Sequence, residues 1–172
     1  MQTTREALDL QLSMAWQLLD YHLTGLSDEE ALWLPAQRGL TVRHEAGDWV
    51  ADWPESETYD IGPPSIAWTT WHIIFWWSMV LDHSFSDATL LREDVTWPGS
   101  VETVKQRLVQ LRDDWSSSFT ALTDDQLASS GLTRWPFADQ PFFQVGAWLG
   151  IELMKNAAEI GYCRFLYASR EA

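Results

Sequence analysis

The run IGPPSIAWTTWHIIFWWSMVL, residues 61–81, is the longest uncharged stretch of the chain. Two readings compete for it, a membrane span and a core helix. Two prolines, a glycine, serines, threonines and a histidine interrupt it, and its compact apolar part falls short of the ~20 residues that a span needs. It reads as a core helix. Ser65 is placed to cap it, and Trp68, His72, Trp76 and Met79 share one side at helical spacing. Ile66, Trp71, Ile73, Phe75 and Val80 cover the other sides. A helix that is apolar all round is surrounded by other elements, so this one belongs at the centre of an all-α fold.

Three more long helices are legible around it. The first begins at Thr3, whose pairing with Glu6 is a capping box, carries Leu8, Leu12, Ala15, Leu19 and His22 on one face, and ends at Gly25. Another starts after WPGS, with Ser100 as cap and Val101, Val104, Leu108, Leu111, Trp115 and Leu122 as its stripe; Lys105, Gln106, Arg112 and Asp113 face solvent. The last starts near Pro141, suited to a first turn, and runs to about Ala168. LSDEEALWLP (26–35) and LTDDQLASSGLTRWP (122–136) form a weak repeat. Each has a Ser or Thr cap followed by acids where the helix dipole favours them. The chain thus reads as two halves of helix, short helix, loop and helix, which favours a four-helix bundle over 1–172 as one domain. The loop 36–64 is too long for a mere connection. Thr41–His44 and Trp49–Ala51 around EAGD are expected to pair as a hairpin, with Trp49 and Trp53 anchoring it over one end of the bundle.

Composition excludes several function classes. A net charge of −14 with only 11 Lys and Arg leaves no basic patch for phosphates, so neither nucleic acid nor an anionic membrane is an expected partner. The single cysteine, Cys163, rules out an internal disulfide and any CxxC site. It lies among apolar neighbours with no activating His beside it, so a catalytic thiol is not expected. The opening MQTTREALDL has no apolar signal core, and a cytoplasmic protein is expected. Phosphate-cradling glycine loops, GxSxG and HExxH are absent. The 12 tryptophans, each with an N–H that wants an acceptor, suit either a dense core or the walls of a large cavity.

Chemistry is expected where polar residues enter the apolar stripe of the last helix. In WLGIELMKNAAEIGYCRFLYASR (148–170), Glu152, Asn156 and Glu159 fall on the same face as Val145, Trp148, Cys163 and Leu166. Residues four apart on one helix can point to one centre, so Glu152 and Asn156 could join His72 across the bundle as ligands of a divalent ion such as Zn, Ni or Mn. The competing reading is a buried network in which His72 donates to Glu152, while Asn156 and Glu159 bond to tryptophan N–H groups or water. Trp68, Trp76, Glu159 and His22 are the expected pocket residues. His83 serves a helix C-terminus, His44 sits in the loop, and Lys155 is a surface cation or a partner of Glu152 or Glu159.

LTGLSDEEALWLP, SIAWTTWHI and WLGIELMKNAAEIGYCRFLY, in that order and at these separations, resemble the DinB-like (DinB/YfiT) superfamily over nearly the whole chain. The resemblance implies a four-helix bundle with a metal held by one His on the second long helix and a His-x-x-x-His pair on the last. It also implies relatives that include thiol-dependent isomerases and S-transferases. The first His falls on His72; the pair falls on Glu152 and Asn156, neither of which is His.

Three functions follow. One is a thiol-dependent transferase or isomerase acting on a small electrophile, in which an ion at His72, Glu152 and Asn156 lowers the pKa of a low-molecular-weight thiol and Trp68 and Trp76 wall the electrophile pocket. The second is a metal-free, non-catalytic bundle whose tryptophan-lined, acid-bottomed cavity holds a small molecule, with a cation as one suitable ligand. The third is a scaffold acting through self-association, as a homodimer, by an exposed helix face.

Overall fold

A computed structural model describes residues 3–56 and 58–170. Four long helices form it: α1 (Thr4–Leu23), α3 (Ile66–Phe85), α4 (Val101–Thr120) and α6 (Phe142–Ser169). One-turn helices α2 (Asp28–Leu32) and α5 (Asp124–Ala128) follow α1 and α4, giving helix, short helix, loop, helix twice over. This is the four-helix bundle expected from the sequence.

Each helix starts where the capping chemistry puts it. The Thr3 hydroxyl accepts from the Glu6 amide while the Glu6 carboxylate accepts from the Thr3 amide, and Gly25 at φ +69° turns the chain away after α1. Ser65 caps α3 through the Trp68 amide, and Ser100 caps α4 through the Thr103 amide. Two boundaries differ from the sequence reading. Leu122 lies beyond the end of α4, packed on the core but outside the helix. Pro141 is the N-cap of α6 instead of a first-turn residue, and the Phe142 amide donates to Ser129 O at 2.9 Å.

The central position of α3 is the packing result that matters most. From Ile66 to Val80 every residue except Trp76 is buried, because α4 packs on one side of α3 and α6 on another. The helix α1 lies along α6, and the two run parallel: Gly146 of α6 faces Leu8, Gly150 faces Gln11, and Gly161 faces His22. A Cβ on Gly161 would stand 2.4 Å from the His22 ring, so the absence of a side chain there sets how closely the helices approach.

Arg164 ties the same pair together at its far end. Its Nε donates to Glu30 Oε1 at 2.9 Å, and its Nη1 donates to His22 O and Thr24 O, both at 2.8 Å. One guanidinium therefore pairs with α2 and satisfies carbonyls at the end of α1 that have no intrahelical partner. The repeat diverges here. In α5 the corresponding Gln126 closes a capping box on Thr123, whereas Glu30 is drawn to Arg164.

The hairpin forms with slightly longer strands than expected, β1 (Val42–Glu45) pairing antiparallel with β2 (Asp48–Ala51). Ala46 at φ +53° and Gly47 at φ +105° make a two-residue turn, which brings Glu45 opposite Asp48. Trp49 anchors the hairpin through an edge contact with buried Trp97, and Trp53 sets its edge on Trp71 and Phe75 while Arg92 covers its face. The chain then returns to α3 through a segment, 54–64, whose backbone crosses the 38–39 segment. A Cβ on Gly39 would lie 2.1 Å from Pro63 O and one on Gly62 would lie 2.3 Å from Arg38 O.

Candidate functional site

His72 sits mid-way along α3, 9% exposed, with its ring stacked on Trp68 at a centroid distance of 4.9 Å. The i,i+4 spacing that puts Trp76 one turn on brings its indole Nε1–H to His72 Nε2 at 2.6 Å. An indole can only donate, so Nε2 is the acceptor and Nδ1 carries the proton. Nδ1 lies 3.3 Å from Asn156 Oδ1 on α6 and donates to it. Asn156, 1% exposed, passes its own Nδ2–H to the Glu152 carbonyl at 2.8 Å. The chain of bonds is Trp76 to His72 to Asn156 to the α6 backbone.

Burial, helped by the Lys155 charge and opposed by the Asn156 bond, depresses the His72 pKa to about 4. The imidazole is neutral at physiological pH, as both of its hydrogen bonds require. Glu152 is turned the other way. Its Oε2 pairs with Lys155 Nζ at 2.7 Å near the surface. Glu159, half-buried, has no hydrogen bond or ion pair from any described residue. Burial first, and then Glu152, push its carboxyl above the ordinary range, with Lys155 pulling it back.

A cavity of about 490 Å³ opens beside this network. Trp68 and His72 of α3 form one wall, Lys155, Asn156 and Glu159 of α6 a second, and Leu40 with the 54–64 segment the third. Trp68 is fixed there by donation from its Nε1 to Asp52 O at 2.7 Å. Cys163 lies one turn beyond Glu159, buried, its Sγ 3.6 Å from Pro64 O; burial and then Glu159 push the thiol up to about 11. A thiol so held is protonated and is no nucleophile.

The residues singled out in the sequence are distributed as follows. His72, Asn156, Glu159 and Trp68 come together at the cavity. Trp76 turns its ring away from the cavity onto Trp135 and Trp148, at centroid distances of 4.8 and 4.7 Å, and reaches the site only through its N–H. His22 lines a different cavity with Glu30 and Arg164, because its ring fills the gap left by Gly161. His83 lies in the last turn of α3 with Nε2 3.2 Å from Leu90 O, and His44 is exposed on β1. The residues that periodicity did not reveal are Tyr59, Pro63 and Pro64 of the covering segment. The length of the 36–64 loop was the signal that it covers something.

A divalent ion needs lone pairs aimed at one point. Here Nε2 of His72 is occupied by Trp76, Nδ1 carries a proton, the Asn156 amide is engaged at both ends, and the Glu152 carboxylate is held by a cation. Among the described residues, no three His, Cys, Asp or Glu side chains gather as a metal site would require. The arrangement does not fit a metal. Its hydrogen bonds follow the buried-network reading, with the partners exchanged: His72 donates to Asn156, not Glu152, and the tryptophan N–H goes to His72.

The family model described as the DinB superfamily matches residues 11–160. No curated protein and no solved structure matches the chain.

Proposed function

The chain belongs to the DinB superfamily, and from that premise we propose that it is a metal-independent member that binds a small organic molecule in the cavity walled by Trp68, His72, Asn156 and Glu159. The observation that carries this reading is the engagement of both His72 ring nitrogens by neighbouring side chains beside a cavity of about 490 Å³. That volume is in the range of small-molecule sites, and the walls follow their usual pattern of apolar lining with a few polar groups. Leu40, Pro54, Ile61, Pro63 and Pro64 supply the apolar part. A thiol-dependent transferase would instead need an ion at His72, Glu152 and Asn156, which requires breaking the Trp76–His72 bond and separating Glu152 from Lys155.

Metal content of untagged protein purified without chelators decides between the two. Calorimetric titration of Zn, Ni and Mn is expected to show no stoichiometric binding, and tryptophan emission is expected to respond to small organic ligands identically with and without EDTA. Stoichiometric metal that disappears in His72→Ala would sink the metal-free reading and restore the thiol-transfer one, to be pursued by consumption of an electrophile only when a thiol is present.

No helix among the described residues is long and apolar enough to cross a membrane, in keeping with the cytoplasmic setting we propose. We also propose a homodimer through α1 and α6. Their parallel packing places Leu10, Met14 and Tyr21 of α1 and Ile151, Tyr162 and Phe165 of α6, all exposed, on one side of the pair. Those six positions carry no charge in a chain of net −14, so this face lets like-charged copies approach with least repulsion. Light scattering should give twice the 19.8 kDa chain mass, falling to the monomer in Tyr162→Glu; a monomer at every concentration would refute it.

A further inference from the structure

The proposed cavity contains one charge that nothing in the protein balances. Of its ionisable lining groups, His72 is neutral and Lys155 is spent on Glu152 at 2.7 Å. Tyr59 stands at the mouth, fully exposed. That leaves Glu159, half-buried on α6, with no hydrogen-bond donor or cation within ion-pair distance among the described residues. A carboxylate removed from water without partners is costly, and the strongest compensation is a charge-assisted bond from a cation.

We propose that, if the cavity binds small molecules as argued above, the class it selects is primary amines with an apolar or aromatic body. The ammonium sits on Glu159 and the body lies against Trp68, Pro63 and Pro64. The geometry favours this class over the others. An ammonium offers donors to a carboxylate that has none, whereas a carboxylate ligand would meet Glu159 head-on and could reach Lys155 only by displacing Glu152. A neutral alcohol would donate one uncharged bond. Trp68 adds a π face, and the chain's net charge of −14 raises the local concentration of any cation.

The test uses three probes of equal size, phenethylamine, 2-phenylethanol and phenylacetate, titrated into the full chain at pH 7 and low salt and followed by calorimetry. The amine is expected to bind about tenfold or more tightly than the alcohol, the fold-change that a hydrogen bond to a charged group supplies. Phenylacetate is expected to be weaker than either. Glu159→Gln, close to isosteric, should bring the amine to the level of the alcohol without altering the alcohol. Lys155→Met, which removes the competing cation, should tighten the amine. Equal affinity for amine and alcohol, or an amine preference that survives Glu159→Gln, overturns amine selectivity and leaves the cavity-binding reading standing. Absence of binding by all three probes overturns both.

Discussion

Arg164→Ala is expected to destabilise the fold by about 3 kcal/mol, the lower end of the cost of breaking a buried ion pair. The lower end applies because the Arg164 side chain is 27% exposed whereas that of Glu30 is 10% exposed. The loss has two parts. Glu30 keeps its place, fixed by its amide bond to Ser27, but its buried carboxylate loses its cation. The His22 and Thr24 carbonyls lose the Nη1 donor that closes the end of α1. Urea unfolding at pH 7 reads the effect directly. Arg164→Lys should recover only part of it, because an ammonium cannot fork between Glu30 and two carbonyls. Glu30→Gln should cost less in the Arg164→Ala background than in the native chain. A loss below about 1 kcal/mol, the level of a surface pair, would mean that Arg164 is not the clamp its bonds describe.

The second large effect is one of acidity. His72 has a folded pKa of about 4 against an ordinary 6.5, so the unfolded chain takes up a proton at a pH where the native chain refuses it. The sign follows: the contribution is fully present above pH 6.5, is lost progressively as pH falls, and is gone below about 4. The gap corresponds to about 3 kcal/mol. The groups that face the ring are Trp68 and Trp76 on its own helix and Lys155 and Asn156 on α6, and Lys155 acts in the same direction as burial. Glu159 works against it, since a carboxyl held above its ordinary range in the native state favours the fold as pH drops. The clean quantity is therefore the difference between the native chain and His72→Leu in unfolding free energy, measured at pH 7.5 and at pH 4. That difference should shrink by about 3 kcal/mol between the two; a constant difference would show that His72 is not held neutral by its surroundings.

The bundle was legible because three kinds of sequence signal agreed. Thr3, Ser65 and Ser100 mark helix starts by their hydroxyls, Gly25 marks a stop, and α3 declares its central place by having no polar face. Those signals act within one or two turns, which is why they can be read without the fold. The site was legible only in part. His72 and Asn156 meet as their positions in the stripes suggested, since facing helices bring their inner faces together. What the ring nitrogens would find there was not legible. The Trp76 bond to Nε2 depends on an indole rotamer, and Trp76 had equal claim to line the cavity. Glu152 lies only four residues from Asn156, yet its carboxylate swings to Lys155, and a long side chain at a stripe's edge has that freedom. His22 was drawn elsewhere by Gly161, a contact between residues 139 positions apart that no local pattern encodes.

The aromatic rings around His72 have a consequence of another kind. Trp68 stacks on His72 and touches Trp71, while Trp76 lies against Trp135 and Trp148, all at centroid separations below 6 Å. At such separations an absorbed ultraviolet quantum migrates from ring to ring within the excited-state lifetime, and its fate is decided at whichever neighbour dissipates it first. A protonated imidazole is such a sink, and a neutral one is far less so. By keeping His72 neutral, the burial that sets its pKa also leaves the excitation trap of this cluster switched off.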